Sequence, residues 1–163
     1  MKRTKNIIDT ISLLMMSKTD NAFDHSDDEL IKVIDSVPDI NFQGRDDRTL
    51  LIHASLYNRY EIAKYLLKKG ADVTLSDDMG ISALHGAVIS GDLNIVELLV
   101  KNNAPVNQKD RFGNIPLFKA KINDISIIKF LIKSGSDYNS KNNSGISVVD
   151  TFAAYPEILK LMK

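Results

Sequence analysis

The chain has 163 residues, 44% of them hydrophobic and 26% charged, with 21 basic side chains against 21 acidic ones and no cysteine. Those figures describe a soluble globular protein with no overall field toward nucleic acid or anionic lipid. A disulfide framework and a thiolate metal site are excluded, and no apolar run approaches the ~20 residues that span a bilayer.

At the N-terminus, Asn6 to Ser17 set Ile7, Ile8, Ile11, Leu14 and Met15 at helical spacing, which predicts an amphipathic helix. The basic start Met1-Lys2-Arg3-Thr4-Lys5 is shared with signal peptides. Asp9, Thr10 and Ser12 interrupt the apolar stretch, however, and no small-x-small cleavage site follows. A polar link from Lys18 to His25 leads to Ser26-Asp27-Asp28-Glu29, a capping box that opens a helix through Leu30 to Ser36. His25 and the acids around it also offer oxygen ligands to a hard cation. The helix cap accounts for the same residues more simply, so no metal is expected.

From Thr49 onward one pattern recurs. Thr49-Leu50-Leu51-Ile52-His53-Ala54 is followed by Ser82-Ala83-Leu84-His85-Gly86-Ala87 and Ile115-Pro116-Leu117-Phe118-Lys119-Ala120, at steps of 33 (82 − 49 and 115 − 82). Each copy continues into a second apolar segment: Glu61 to Leu67, Asn94 to Leu99, then Ser126 to Leu131. Thr49 and Ser82 are suited to cap a helix and Pro116 to occupy its first position. Ile115 has no capping group, so the third helix start is expected to be the least satisfied. Gly70, Asn103 and Gly135 follow the second segments as left-handed C-caps, and Asn58 and Gly91 suit the turns between paired helices. Ile62, Tyr65 and Leu66, like Ile95, Leu98 and Leu99, mark a buried stripe. The third copy lacks one residue, with Asn123-Asp124 standing against Ser90-Gly91-Asp92, and the gap is expected in the loop between its helices. Gly145 to Asp150 restart the pattern. Phe152, the Tyr155-Pro156 turn and the stub Ile158, Leu161 and Met162 then read as a terminal cap.

These segments resemble the ankyrin repeat family, whose consensus opens near Asp-x-x-Gly-x-Thr-Pro-Leu-His-x-Ala-Ala and closes near Ile-Val-x-x-Leu-Leu-x-x-Gly-Ala-x-Val-Asn. The resemblance implies an all-α repeat solenoid, in which each repeat is a helix-turn-helix with a projecting β-hairpin loop. Three full repeats lie between degenerate caps. The chain is then one domain, 1–163, divided as 1–44, 45–77, 78–110, 111–142 and 143–163. The family's usual contact surface is its hairpin tips and concave groove. Carried over by position, the tips are Arg45, Arg48, Met79, Ile81, Arg111, Phe112 and Asn114, and the groove is His53, Tyr57 and Lys119. Met79, Ile81 and Phe112 are apolar where a tip should be wet, which marks an interaction patch. His85, at the family's consensus histidine, is expected to brace the hairpin.

The implied function is a noncatalytic protein–protein interaction module, acting as an adaptor, an inhibitor or an antitoxin-like partner. No phosphate loop, nucleophile elbow or zinc-protease helix appears, so no catalytic residue, cofactor or metal ligand is expected. The expected partner is another protein, with no nucleic acid and no membrane insertion, bound by a cytoplasmic monomer. Secretion by a route without a recognisable signal peptide stays open. A self-associating structural protein is the alternative; a metal-dependent protein or enzyme built on His25 is a remoter one. Charge is segregated along the chain. From Lys101 onward ten basic residues face five acidic ones, whereas the stretch Asp20 to Asp47 is strongly acidic.

Overall fold

A computed structural model describes residues 9–11 and 26–163. The rest of the helix expected over Asn6 to Ser17, and the link from Lys18 to His25, lie outside the described residues. Residues 9–11 are helical, and Ile11 is fully buried.

Eight α-helices follow among the described residues: α1 (Asp27–Ile34), α2 (Leu50–Leu56), α3 (Tyr60–Lys68), α4 (Ala83–Ser90), α5 (Leu93–Lys101), α6 (Ile125–Lys133), α7 (Val148–Thr151) and α8 (Pro156–Leu159). Three single 3₁₀ turns stand at Arg45–Asp47, Pro116–Lys119 and Lys160–Met162. The starts are capped as the residue types predict. Ser26 Oγ accepts the Glu29 N–H at 3.3 Å, Thr49 Oγ1 the Ile52 N–H at 3.2 Å, and Ser82 Oγ the His85 N–H at 3.4 Å. Each satisfies one of the N–H groups that a helix start leaves without an internal partner.

The elements stack in two rows. One consists of α2, α4, the Pro116–Lys119 turn and α7; the other runs α1, α3, α5, α6 and the Lys160–Met162 turn. Sequence pattern decides which row a helix joins. Leu50 to Ser55 in α2 and Ala83 to Val88 in α4 are buried without interruption, as befits helices apolar all round. By contrast, α3, α5 and α6 bury one stripe each: Ile62, Ala63 and Leu66; Ile95, Val96 and Leu99; Ile127, Ile128 and Leu131. Tyr65 and Leu98, expected in that stripe, are only half-buried at its edge. Phe152, Ile158 and Met162 close the far end of the core, as a terminal cap should.

The third copy departs from the expected helix-turn-helix. Its first helix is a single 3₁₀ turn, Pro116–Lys119, after which Ala120 is extended (φ −67°, ψ 135°). Ile115 offers no side-chain cap, and the one-residue gap falls in the connection between this turn and α6. Leu117 is still buried and α6 still starts at Ile125, so the chain spans the shortened distance by unwinding. Proline at the first position is compatible with either helix type.

Between the rows' helices, loops project and pair with one another. Within each loop the Asp77, Asp110 and Asn142 N–H groups donate to Ile81, Asn114 and Ile146 carbonyls at 2.9–3.0 Å. Across loops, the Asp78, Arg111 and Asn143 N–H groups donate to Asp46, Met79 and Phe112 carbonyls at 2.9–3.1 Å. The hairpins are drawn by single antiparallel bridges, Ser76 with Ser82 and Lys141 with Ser147, rather than by strands. Close approach needs glycine at Gly113: its φ is +78°, and a Cβ there would lie 2.8 Å from the Asn143 amide nitrogen. At the matching place in the first loop stands Asp47, at φ 56°. Asp47→Gly is therefore expected to stabilise the protein by about 0.5–1 kcal/mol in urea denaturation, by releasing left-handed strain. An unchanged or lower midpoint would mean the aspartate suits that conformation.

Candidate protein-binding surface

The three loops after the first are each locked at the base by one polar side chain, whereas the first has Gly44 at the matching place. Asp77 Oδ1 accepts the Met79 and Ile81 N–H groups at 3.0 and 2.8 Å. Asp110 Oδ1 takes those of Phe112 and Asn114, both at 2.9 Å, and Asn142 Oδ1 those of Ser144 and Ile146 at 3.0 and 3.1 Å. Sequence reasoning passed over these residues as part of the surface, although the recurring Asp-x-x-Gly spacing was their signal. They fix the tip backbones, so the side chains between them are presented from a rigid frame.

The candidate tip residues then divide. Arg48 turns inward, its Nε 3.0 Å from Asp77 Oδ2. Asn114 Oδ1 accepts from the Asn142 side-chain amide at 2.9 Å, tying adjacent loops together. Ile81 and Met79 are half-buried, and the Met79 sulfur lies 3.9 Å from Arg111 Nη1. Arg45 and Arg111 are exposed, and Phe112 is 55% exposed rather than folded back on its neighbour. The exposed tip residues are thus Arg45, Arg111 and Phe112, with Ile146 (46% exposed) on the next loop and half-buried Met79 beside Arg111.

The candidate groove residues are less available. Lys119 Nζ sits 2.7 Å from Asp110 Oδ2, whose side chain is fully buried. Burial pushes the Asp110 carboxyl up, but the Lys119 ammonium and the Asn114 and Phe112 N–H donors more than offset this and hold it below the usual range. His53 is buried against Tyr57, ring centroids 6.1 Å apart and nearly parallel. Its Nδ1 has no hydrogen-bond partner among the described residues, and burial, reinforced by the Arg48 charge, pushes its pKa down to about 4. Tyr57 is half-buried beside it.

His85 braces its loop as expected. Its Nδ1 lies 3.3 Å from the Ser82 N and 2.9 Å from Ser82 Oγ, and its Nε2 is 3.1 Å from the Asn114 carbonyl. That geometry fits a neutral ring with its proton on Nε2, and burial lowers its pKa. In α7 the same cap is closed by Asp150, which accepts the Ser147 N–H at 2.8 Å. Among the described residues no group of three or more His, Asp or Glu side chains could hold a metal ion, and no helix is long and apolar enough to cross a membrane. His25 lies outside them, while Ser26 and the acids after it serve the start of α1.

Comparison with known proteins agrees with this architecture. Family models described as ankyrin repeats match twice, over residues 74–142 and 35–87. Human protein phosphatase 1 regulatory subunit 27 is 30% identical over 120 residues, covering 72% of this chain and 78% of that protein. Alpha-latrocrustotoxin-Lt1a of Latrodectus tredecimguttatus is 31% identical over 121 residues, which cover 72% of this chain but 8% of the toxin. A putative ankyrin repeat protein of fowlpox virus is 37% identical over 110 residues, 64% of this chain and 32% of the viral protein. The chain thus spans a small part of some relatives and most of another.

Proposed function

The chain belongs to the ankyrin repeat family, and on that premise we propose that it is a noncatalytic module that binds another protein through its row of loop tips. The observation that carries this is the exposed Phe112 and Arg111, with half-buried Met79 beside the arginine, on a backbone locked by Asp77 and Asp110. Aromatic and arginine side chains are the usual anchors of protein interfaces, and a rigid frame lowers the ordering cost of binding. His85 does lie 2.9 Å from the Ser82 hydroxyl, but both side chains are buried and engaged in capping α4 and bracing the loop rather than facing a substrate, which supports a noncatalytic role. The phosphatase regulatory subunit among the relatives fits an adaptor or inhibitor. We place the protein in the cytoplasm as a monomer, with a protein rather than nucleic acid as its partner.

Pull-down from source-cell lysate, read by mass spectrometry, tests the reading. Wild type is expected to retain a partner that a folded Met79→Asp/Phe112→Asp variant loses. Retention by both proteins moves the site away from the tips.

A further inference from the structure

We infer that the last two loops of the row receive an acidic protein segment that carries a bulky apolar anchor; this rests on the protein-binding reading above. Charge changes sign along the tips. The first two present exposed Asp46, Asp47 and Asp78, offset by Arg45 alone, whereas the last two present exposed Lys109, Arg111 and Lys141. Asp110, between Lys109 and Arg111 in sequence, is buried and already paired with Lys119 at 2.7 Å, so it does not cancel their outward field; the exposed Asp150 feels the Lys141 charge and offsets that cation in part. The Lys109 ammonium donates to the Lys141 carbonyl at 3.0 Å, which gathers positive charge where the two loops leave the helices. The same sign prevails around them, since residues from 101 onward carry ten basic groups against five acidic.

The apolar component lies on the same two loops. Phe112 and Ile146 are the two most exposed large hydrophobic side chains among the described residues, at 55% and 46%. They stand on adjoining loops joined by the bond from the Asn143 N–H to the Phe112 carbonyl, 2.9 Å. An aromatic and an aliphatic group framed by cations match a segment that is acidic with one large apolar residue. Repulsion from Asp46, Asp47 and Asp78 would confine that segment to the C-terminal half and set its direction. A nucleic-acid strand would meet the same three carboxylates along the row and only one exposed aromatic tip, so the protein segment is favoured.

Panning a random peptide library against the purified chain tests this. Enriched sequences are expected to be net acidic with at least one Phe, Leu, Ile, Tyr or Trp. The tightest, as a labelled synthetic peptide, should weaken about tenfold or more in Arg111→Glu/Lys141→Glu and in Phe112→Ser, and also with rising salt. Circular dichroism confirms that both variants remain folded. Enrichment of neutral or basic peptides, binding indifferent to both variants, or tighter binding of a single-stranded oligonucleotide overturns the inference. If such peptides instead lose binding on Tyr57→Ala, the protein-binding reading stands and only this location fails. No enrichment, together with no partner in the pull-down, removes both.

Discussion

Asp110→Ala is expected to destabilise the protein by about 3–5 kcal/mol, the loss typical of breaking a buried ion pair from one side. The carboxylate carries four interactions at once: the Phe112 and Asn114 N–H groups at 2.9 Å, the Asn114 side-chain amide at 3.4 Å and Lys119 Nζ at 2.7 Å. Alanine leaves two backbone donors in a closed loop without acceptors, and leaves an ammonium that is 23% exposed without its counter-charge. Asp110→Asn separates the two contributions. An amide oxygen can still accept both N–H groups, as Asn142 shows at the same place on the next loop. What it loses is the charge opposite Lys119, a loss of roughly 1–3 kcal/mol. Urea denaturation at neutral pH should therefore rank wild type, Asp110→Asn and Asp110→Ala in that order. Equal losses below about 1 kcal/mol in both variants would mean the loop base is wet and the pair adds little.

The repeat spacing, caps and apolar stripes were legible in the sequence because they are local. A hydroxyl at Thr49 or Ser82 and a burial stripe at Ile95 and Leu99 follow from a few neighbouring residues. The shortened third helix was half-legible. Ile115 announced a poor start, but only the fixed positions of Leu117 and α6 show that the helix must give way. The surface was the least legible part. Arg48 and Lys119 look like free cations in one dimension and become loop-base partners only when Asp77 and Asp110, 29 and 9 residues away, are brought beside them. Phe112 stands out at a tip by its residue type, but its outward direction depends on the neighbouring loop. His85 and Asp150 show the same chemistry behind different letters: each accepts the N–H of its cap residue, and only His85 matches a consensus.

Stability is expected to fall by about 3 kcal/mol as pH drops from 6.5 to 4, through His53 above all. Its folded pKa is about 4 against 6.5 for the free side chain. Between those values the unfolded chain binds the proton and the folded chain does not, so acid favours unfolding; above 6.5 both forms are neutral and the effect vanishes. The causes compete at the site: burial and Arg48 disfavour the cation, while Asp9, Asp46 and Asp77 favour it without prevailing. His85 is lowered in the same direction, again by burial first, and adds to the slope. Asp35, Asp72, Asp110 and Asp150 are held below the usual carboxylate value of 3.8, so their losses set in at about pH 5, at the lower end of this window, and grow as pH falls through their folded values. Urea denaturation midpoints at intervals from pH 7.5 to 4.5 would read the slope. His53→Leu should flatten most of it and leave the His85 remainder. At neutral pH it should cost little, since it removes an imidazole whose Nδ1 is buried without a partner among the described residues. A wild-type profile flat across the window would mean that His53 titrates in water rather than beneath the first loop. The groove would then be open at the point where the structure closes it.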